Sequence, residues 1–187
     1  VLTREKYPDV KLIVNQSNLG FAAANNIGIQ QSNGRYVLLS NSDIKVVNHA
    51  VDKMYEYMEE NSNVGIMLPK CFNGDSKLIR CCREFPTLRN AICEALYLDK
   101  LFPNVHIFRG CAYPDEYHSM TTSTGTLPCC FTIVRRSAMD EVGLLDERFF
   151  FYCQDLDWCK RFHNGNWSVV YFADAQVIHY EGSSSEA

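Results

Sequence analysis

Residues 34–43 read Gly34-Arg35-Tyr36-Val37-Leu38-Leu39-Ser40-Asn41-Ser42-Asp43. The nearly continuous apolar run from Tyr36 to Leu39 has the pattern of a parallel strand buried on both faces. A polar break follows at once. Outward on the N-terminal side, Asn33-Gly34 is a stop and turn signal. Before it, Phe21, Ala22, Ala24, Ile27, Gly28 and Ile29 suggest a short, closely packed helix over residues 21–31. A further strand is expected at residues 10–14, Val-Lys-Leu-Ile-Val. Outward on the other side, Val51, Met54, Tyr55 and Met58 stand at helical spacing, and residues 64–68 read as another short strand. Strand, helix, strand, helix, strand argues for an α/β fold with a mostly parallel sheet.

Residues 69–124 are less regular, with a helix expected over 88–101 and a loop over 109–126. Beyond them, a strand is expected at 131–134, helices at 137–142 and 154–163, and strands at 167–172 and 176–179. Residues 182–187 read as a small polar tail.

Composition narrows the function. A chain of 187 residues holds one domain with a core, and 47% hydrophobic with 21% charged residues excludes a disordered chain. The net charge of -4 supplies no basic field for nucleic acid or an anionic membrane. No apolar run approaches the roughly 20 residues that cross a bilayer. The nine cysteines form no CxxC pair. They read as free, buried, small apolar residues of a reducing compartment.

Four places carry chemistry. Asn41-Ser42-Asp43 follows a strand, where ligands of open α/β sheets collect. Oxygen donors there suit Mg²⁺ or Mn²⁺, and equally suit a turn with a helix cap. Asp155 falls on the same helical face as Trp158, Cys159 and Phe162, at i, i+3, i+4 and i+7. A carboxylate on an apolar stripe is either a tuned general base or a first-turn acid favoured by the helix dipole. Asp157 points elsewhere and is placed to pair with Arg161 at i+4. His179, after Val177-Ile178, is either a metal ligand or a hydrogen-bonded core histidine. The small residues between Gly20 and Gly28 permit either close approach to a ligand or tight helix–sheet packing.

Taken in order, these pieces resemble a known family. They are residues 18–28 (Asn-Leu-Gly-Phe-Ala-Ala-Ala-Asn-Asn-Ile-Gly), 34–43, 141–150 (Glu-Val-Gly-Leu-Leu-Asp-Glu-Arg-Phe-Phe), 154–161 (Gln-Asp-Leu-Asp-Trp-Cys-Lys-Arg) and 177–179. The series is similar to the family 2 inverting glycosyltransferases of GT-A fold, in their rhamnosyltransferase-like branch. The likeness runs from about Val10 to His179 and is weak across residues 71–123, read as a variable acceptor-side region of a single partial catalytic domain.

The resemblance implies a nucleotide-sugar donor, a saccharide or glycolipid acceptor, and Mg²⁺ or Mn²⁺. It implies that Asp43, with Asn41, belongs to a DxD-type metal motif, and that His179 approaches the metal and diphosphate. Gly20, Asn25 and Asn26 match the loop and helix that line the nucleotide, and Thr124-Gly125 matches a segment near donor sugar and acceptor. Asp155 matches the catalytic base. Asp43, Asp155 and His179 are therefore expected around one cleft. The family's usual Glu before the base is Gln154 here. The chain is also expected to lack the first nucleotide-binding strands, leaving sheet edges open to self-association as a homo-oligomer. A cytoplasmic place is implied, with peripheral membrane contact supplied by parts outside this chain. The alternative is a degenerate, non-catalytic nucleotide-sugar-binding or structural domain.

Overall fold

The computed structural model describes residues 2–102, 105–108 and 110–180. The element order is α1 (Leu2–Lys6), α2 (Gly20–Gln30), β1 (Tyr36–Ser40), β2 (Ile44–Val47), α3 (Ala50–Glu60), β3 (Val64–Asn73), α4 (Leu88–Ala95), α5 (Leu98–Leu101), β4 (Thr122–Ser123), β5 (Phe131–Arg135), α6 (Arg136–Val142), α7 (Gln154–Asn164) and β6 (Ser168–His179). Two 3₁₀ turns, His106–Phe108 and Asp115–Ser119, interrupt the loop between α5 and β4.

The strands form one sheet in the order β1-β5-β3-β6-β2, with β4 also on β6. β3 and β6 are parallel, while β5 runs antiparallel to both β1 and β3. The long strands β3 and β6 and the short β1 therefore share one direction, and their carboxyl ends lie at one rim. β2 and β4 run antiparallel to β6, which makes the sheet mixed.

The core is held by residues of β3, β5 and β6 against α3, α6 and α7. Met54, Met58, Ile66, Phe131, Trp158, Phe162 and Tyr171 are almost wholly buried. Eight of the nine cysteines are buried, and only Cys153 is exposed. Arg135 ties β5 to the end of α3: its guanidinium donates to the carbonyls of Met58 (2.6 Å), Asn61 (3.0 Å) and Val64 (2.8 Å). The terminal carbonyls of a helix lack partners within it, so a fixed cation there stabilises α3.

Several local expectations change. Residues 10–14 form no strand, because no strand among the described residues pairs with them; Val10 and Val14 are exposed. For the same reason β1 is an edge strand with Leu38 exposed, antiparallel to its neighbour rather than parallel and buried on both faces. The helix expected over 88–101 breaks at Tyr97, whose φ of 56° is left-handed. The two strands expected near the end are one, β6, carried past a register shift: Pro69 faces Phe172, but Lys70 faces Gln176. β2 was not anticipated. The expected tail at 182–187 lies outside the described residues.

Candidate active site

β1 ends at Ser40 and the chain turns through Asn41-Ser42-Asp43 into β2. The Asn41 N–H donates to the Cys130 carbonyl at 2.8 Å, which fixes the turn against the start of β5. Ile44 faces His179 in the β2–β6 ladder, and Tyr180 N–H donates to the Asp43 carbonyl at 2.9 Å. This register brings His179 Nε2 to 3.3 Å from Asp43 Oδ1. The side chains are only 14% and 6% exposed, respectively.

These two donors fit a divalent ion. Two ligands each about 2.1 Å from one octahedral ion, at right angles, stand about 3 Å apart. One carboxylate oxygen and one imidazole nitrogen suit Mn²⁺ better than Mg²⁺, which prefers oxygen. No third His, Cys, Asp or Glu joins them among the described residues, so the remaining positions would fall to a diphosphate and water.

Asp155 stands on the first turn of α7. Trp158, Cys159 and Phe162 on its face are fully buried, so the helix presses that stripe into the core and half-buries the carboxylate at its edge. Burial raises the Asp155 pKa from its ordinary value, partly offset by the Leu156 N–H donated to Oδ1 at 2.8 Å. Burial also pushes the neighbouring Cys159 thiol up to about 12, so it stays protonated. Asp157 pairs with Arg161 at 2.8 Å as expected.

The Asp155 carboxylate lines a cleft of ≈ 380 Å³, with Arg80, Cys81, Arg83, Thr126 and Tyr152 among its walls. Asp43 and His179 do not line it. The Asp155 charge acts on the Cys129 thiol and the Asp43 charge on the Cys130 thiol, so the two acids approach adjacent residues of the segment that leads into β5. The structure therefore joins Asp43 to His179 and places Asp155 in a cleft whose lining includes neither of them.

The other anticipated residues are committed to the protein itself. Asn26 is buried; its Nδ2 donates to Leu145 O (2.8 Å) and Glu147 Oε1 (2.9 Å), and its Oδ1 accepts Leu145 N–H (3.1 Å). It locks α2 to the loop after α6. Asn25 donates to Phe21 O at 2.8 Å within its own helix. Gly20 has a φ of +81°, and a Cβ there would stand 2.6 Å from Phe150 O. Thr124 donates to Thr126 O at 3.1 Å. Gly125 packs where a Cβ would meet Arg83 O at 2.9 Å. His163 Nε2 lies 3.0 and 3.1 Å from the carbonyls of Thr124 and Gly125, which only accept, so that nitrogen carries the hydrogen.

Sequence reasoning missed Arg80, Arg83 and Tyr152. Tyr152 and Cys153 have consecutive left-handed φ angles of 67° and 64°, which carry the chain sharply into α7 and hold Tyr152 at the cleft. The Arg80-Cys81-Cys82-Arg83 sequence, two cations around a buried pair, was the available signal.

A family model described as glycosyl transferase family 2 matches residues 2–143 of this chain. The chain belongs to that family. The matched span contains Gly20, Asp43 and Thr124 but ends before Asp155 and His179. Among curated relatives, the family 2 chain is 25% identical over 192 residues to an N-acetylglucosaminyl-diphospho-decaprenol L-rhamnosyltransferase of Mycobacterium tuberculosis, covering 97% of this chain and 62% of that protein. It is 27% identical to the dTDP-rhamnosyl transferase RfbF of Shigella flexneri (97% and 57%). It is 23% identical to the low-salt glycan biosynthesis hexosyltransferase Agl10 of Haloferax volcanii (92% and 52%). It thus spans between half and two thirds of these relatives. A solved structure of GalNAc-T7 with UDP, GalNAc and Mn²⁺ overlays 97% of this chain and 36% of that one, with a TM-score of 0.66 at 12% identity, and so shares the GT-A fold.

Proposed function

We propose that this family 2 chain is the sugar-transfer portion of an enzyme that moves rhamnose or another hexose from a nucleoside diphosphate onto an acceptor hydroxyl, with inversion. The observation that carries the reading is Asp155: a half-buried carboxylate of raised pKa on the wall of a ≈ 380 Å³ cleft. A base with a pKa nearer neutrality takes a proton more effectively in the transition state. Asp155 accepts the proton of the acceptor hydroxyl as its oxygen attacks the anomeric carbon from the face opposite the leaving diphosphate.

Asp43 and His179 would hold Mn²⁺ or Mg²⁺, whose chemistry is to neutralise charge on the departing nucleoside diphosphate. Arg83 adds positive charge at the cleft and orients anionic groups, while the neighbouring Arg80 guanidinium is held by Asp115 at 2.6 Å. Relatives named for rhamnosyl transfer and for a decaprenol-linked acceptor support a donor such as a nucleotide-linked rhamnose and a saccharide or glycolipid acceptor. The solved neighbour with UDP and Mn²⁺ supports divalent-ion use. Acceptor choice belongs to residues 71–123, which supply Arg80 and Arg83 to the cleft and line a neighbouring ≈ 280 Å³ cavity. The buried free thiols favour a reducing place of work such as the cytoplasm.

The test is a screen of nucleotide-sugars with Mn²⁺, reading nucleoside diphosphate release and thermal shift. A donor that both stabilises the protein and is turned over supports the proposal. Binding without turnover in any acceptor mixture points instead to a non-catalytic nucleotide-sugar-binding domain.

A further inference from the structure

The 3₁₀ turn Asp115–Ser119 grips residues 80–82 twice. On the outside, Arg80 pairs with Asp115 at 2.6 Å; the side chains are 62% and 63% exposed, and a pair so solvated contributes little. On the inside, the Cys82 N–H donates to His118 Nε2 at 3.1 Å, and His118 is 1% exposed. A buried amide that loses its acceptor is costly, so the inner bond governs where Cys82 sits. Cys82 stands between Cys81 and Arg83, and both of these line the Asp155 cleft. The Arg83 carbonyl extends the contact by accepting the Thr126 N–H at 2.8 Å, and Thr126 lines the cleft too.

The geometry leaves His118 one protonation state. Its Nδ1 lies 3.3 Å from the Pro114 carbonyl, which only accepts, so Nδ1 carries the hydrogen. Its Nε2 faces an N–H, which only donates, so Nε2 keeps its lone pair. The ring is therefore the neutral Nδ1–H tautomer, and a second proton would set two donors against each other. Burial lowers the His118 pKa from 6.5; the Pro114 carbonyl and Asp115 oppose that shift, while the cations Arg80 and Lys70 of β3 reinforce it. From β6, the Tyr171 ring meets the imidazole edge to face at 5.3 Å, and its hydroxyl donates to His118 O at 3.3 Å. Burial raises the Tyr171 pKa, so that phenol stays neutral, and burial pushes the Cys82 thiol up to about 12.

We infer that His118 is a positioning residue for the Asp155 cleft: its neutral Nε2 seats Cys82, and with it the Cys81 and Arg83 walls, and acidification unseats them by protonating that nitrogen. Tyr171 anchors this strut to β6, so the ring cannot follow the wall when the bond breaks. The unfolded histidine titrates near about 6.5, so as pH falls the unfolded chain takes up its proton first. The native state then loses stability from about pH 6.5 downward, until the folded value is passed. The seating is a property of the fold; only its consequence for sugar transfer rests on the proposed function. On that reading, acidification costs the cleft the Arg83 that orients anionic groups.

The experiment is a titration of the isotopically labelled chain from about pH 8 to about pH 5, followed by proton–nitrogen NMR. It needs no substrate and no turnover, so its failure and that of the proposed function are distinguishable. The His118 ring is expected to show the Nδ1–H tautomer at about pH 7 and to titrate below about 6.5, with the Cys82, Arg83 and Thr126 amides moving at the same midpoint. His118→Gln offers Oε1 to the Cys82 N–H and carries no titrating proton. Its three amides are expected to hold their neutral positions throughout, and its melting temperature to fall less on acidification than that of the wild type. His118→Phe keeps a ring and removes the acceptor, so the Cys82 amide exchanges with solvent at least about fivefold faster at neutral pH. A histidine that only fills space gives no shared midpoint and no rescue by Gln. A His118 that is charged at about pH 7, wall amides that ignore its titration, or a Gln variant that keeps the pH response overturns the inference. If His118→Phe does not fold, the wild-type and His118→Gln titrations decide.

Discussion

His179 Nε2 stands 3.3 Å from Asp43 Oδ1, where the end of β6 pairs with the start of β2. The contact exists because Ile44 faces His179 in an antiparallel ladder, so the residue before β2 meets the last turn of β6. A pair this shielded from solvent, at the carboxyl rim of β1 and β6, is a ready two-point hold for a divalent ion.

Asp43→Asn and His179→Ala are each expected to weaken Mn²⁺ binding by at least about tenfold, since even indirect supports of metal ligands are worth that much. The measurement is the Mn²⁺-dependent rise in melting temperature in the presence of a nucleoside diphosphate. An unchanged rise in both variants would remove the pair from the metal site.

Asp155→Asn should cost about 10²–10⁴ in turnover while donor binding persists. Its effect on stability has the opposite sign. The folded-state pKa is raised by burial above the unfolded value of about 3.9. As pH rises between these two values, the unfolded chain releases its proton first, and the native state loses stability relative to it. The loss is complete above the folded pKa and absent below about pH 3.9. Asp155→Asn therefore melts at the same or a higher temperature than the wild type at pH 7. The acid limb of the wild-type rate profile should be displaced upward from the ordinary aspartate value.

Gln154→Glu introduces the acid that the family resemblance leads one to expect at this position. Gln154 is 8% exposed, so the new carboxylate would be buried beside Asp155. Like charges oppose ionisation, and the acid limb of the rate profile should move to higher pH. An unmoved limb would show that Asp155 is not the titrating base.

Asn26→Ala tests a residue that the resemblance assigned to nucleotide binding and that the structure commits to Leu145 and Glu147. Leaving the Leu145 N–H and carbonyl without partners in the interior should cost about 2–4 kcal/mol in chemical denaturation. The affinity of the surviving folded fraction for a nucleoside diphosphate should stay unchanged.

Gly20→Ala places a Cβ at 2.6 Å from Phe150 O on a backbone with φ of +81°. A loss of more than about 1 kcal/mol is expected. Because Phe150 precedes Tyr152, the same change should also disturb the cleft, read as altered Tyr fluorescence on donor binding.

The features legible in the chain were local ones. The i, i+3, i+4, i+7 stripe of α7, the small-residue packing of α2, the Asp157–Arg161 pair and the family's motif order all depend on residues within a few turns of one another, or on pattern alone. Helices close their hydrogen bonds within themselves, so their periodicity suffices.

Strands do not, and that is where the tertiary structure decided. Residues 10–14 have strand composition and no pairing partner, while Ile44–Val47 became a strand because β6 offered an edge. The contact of Asp43 with His179, the cleft that joins Arg80 and Arg83 to Asp155, and the outward apolar face of α4 each depend on which distant segment lies alongside. Sequence spacing carries no record of that neighbour; only the folded sheet supplies it.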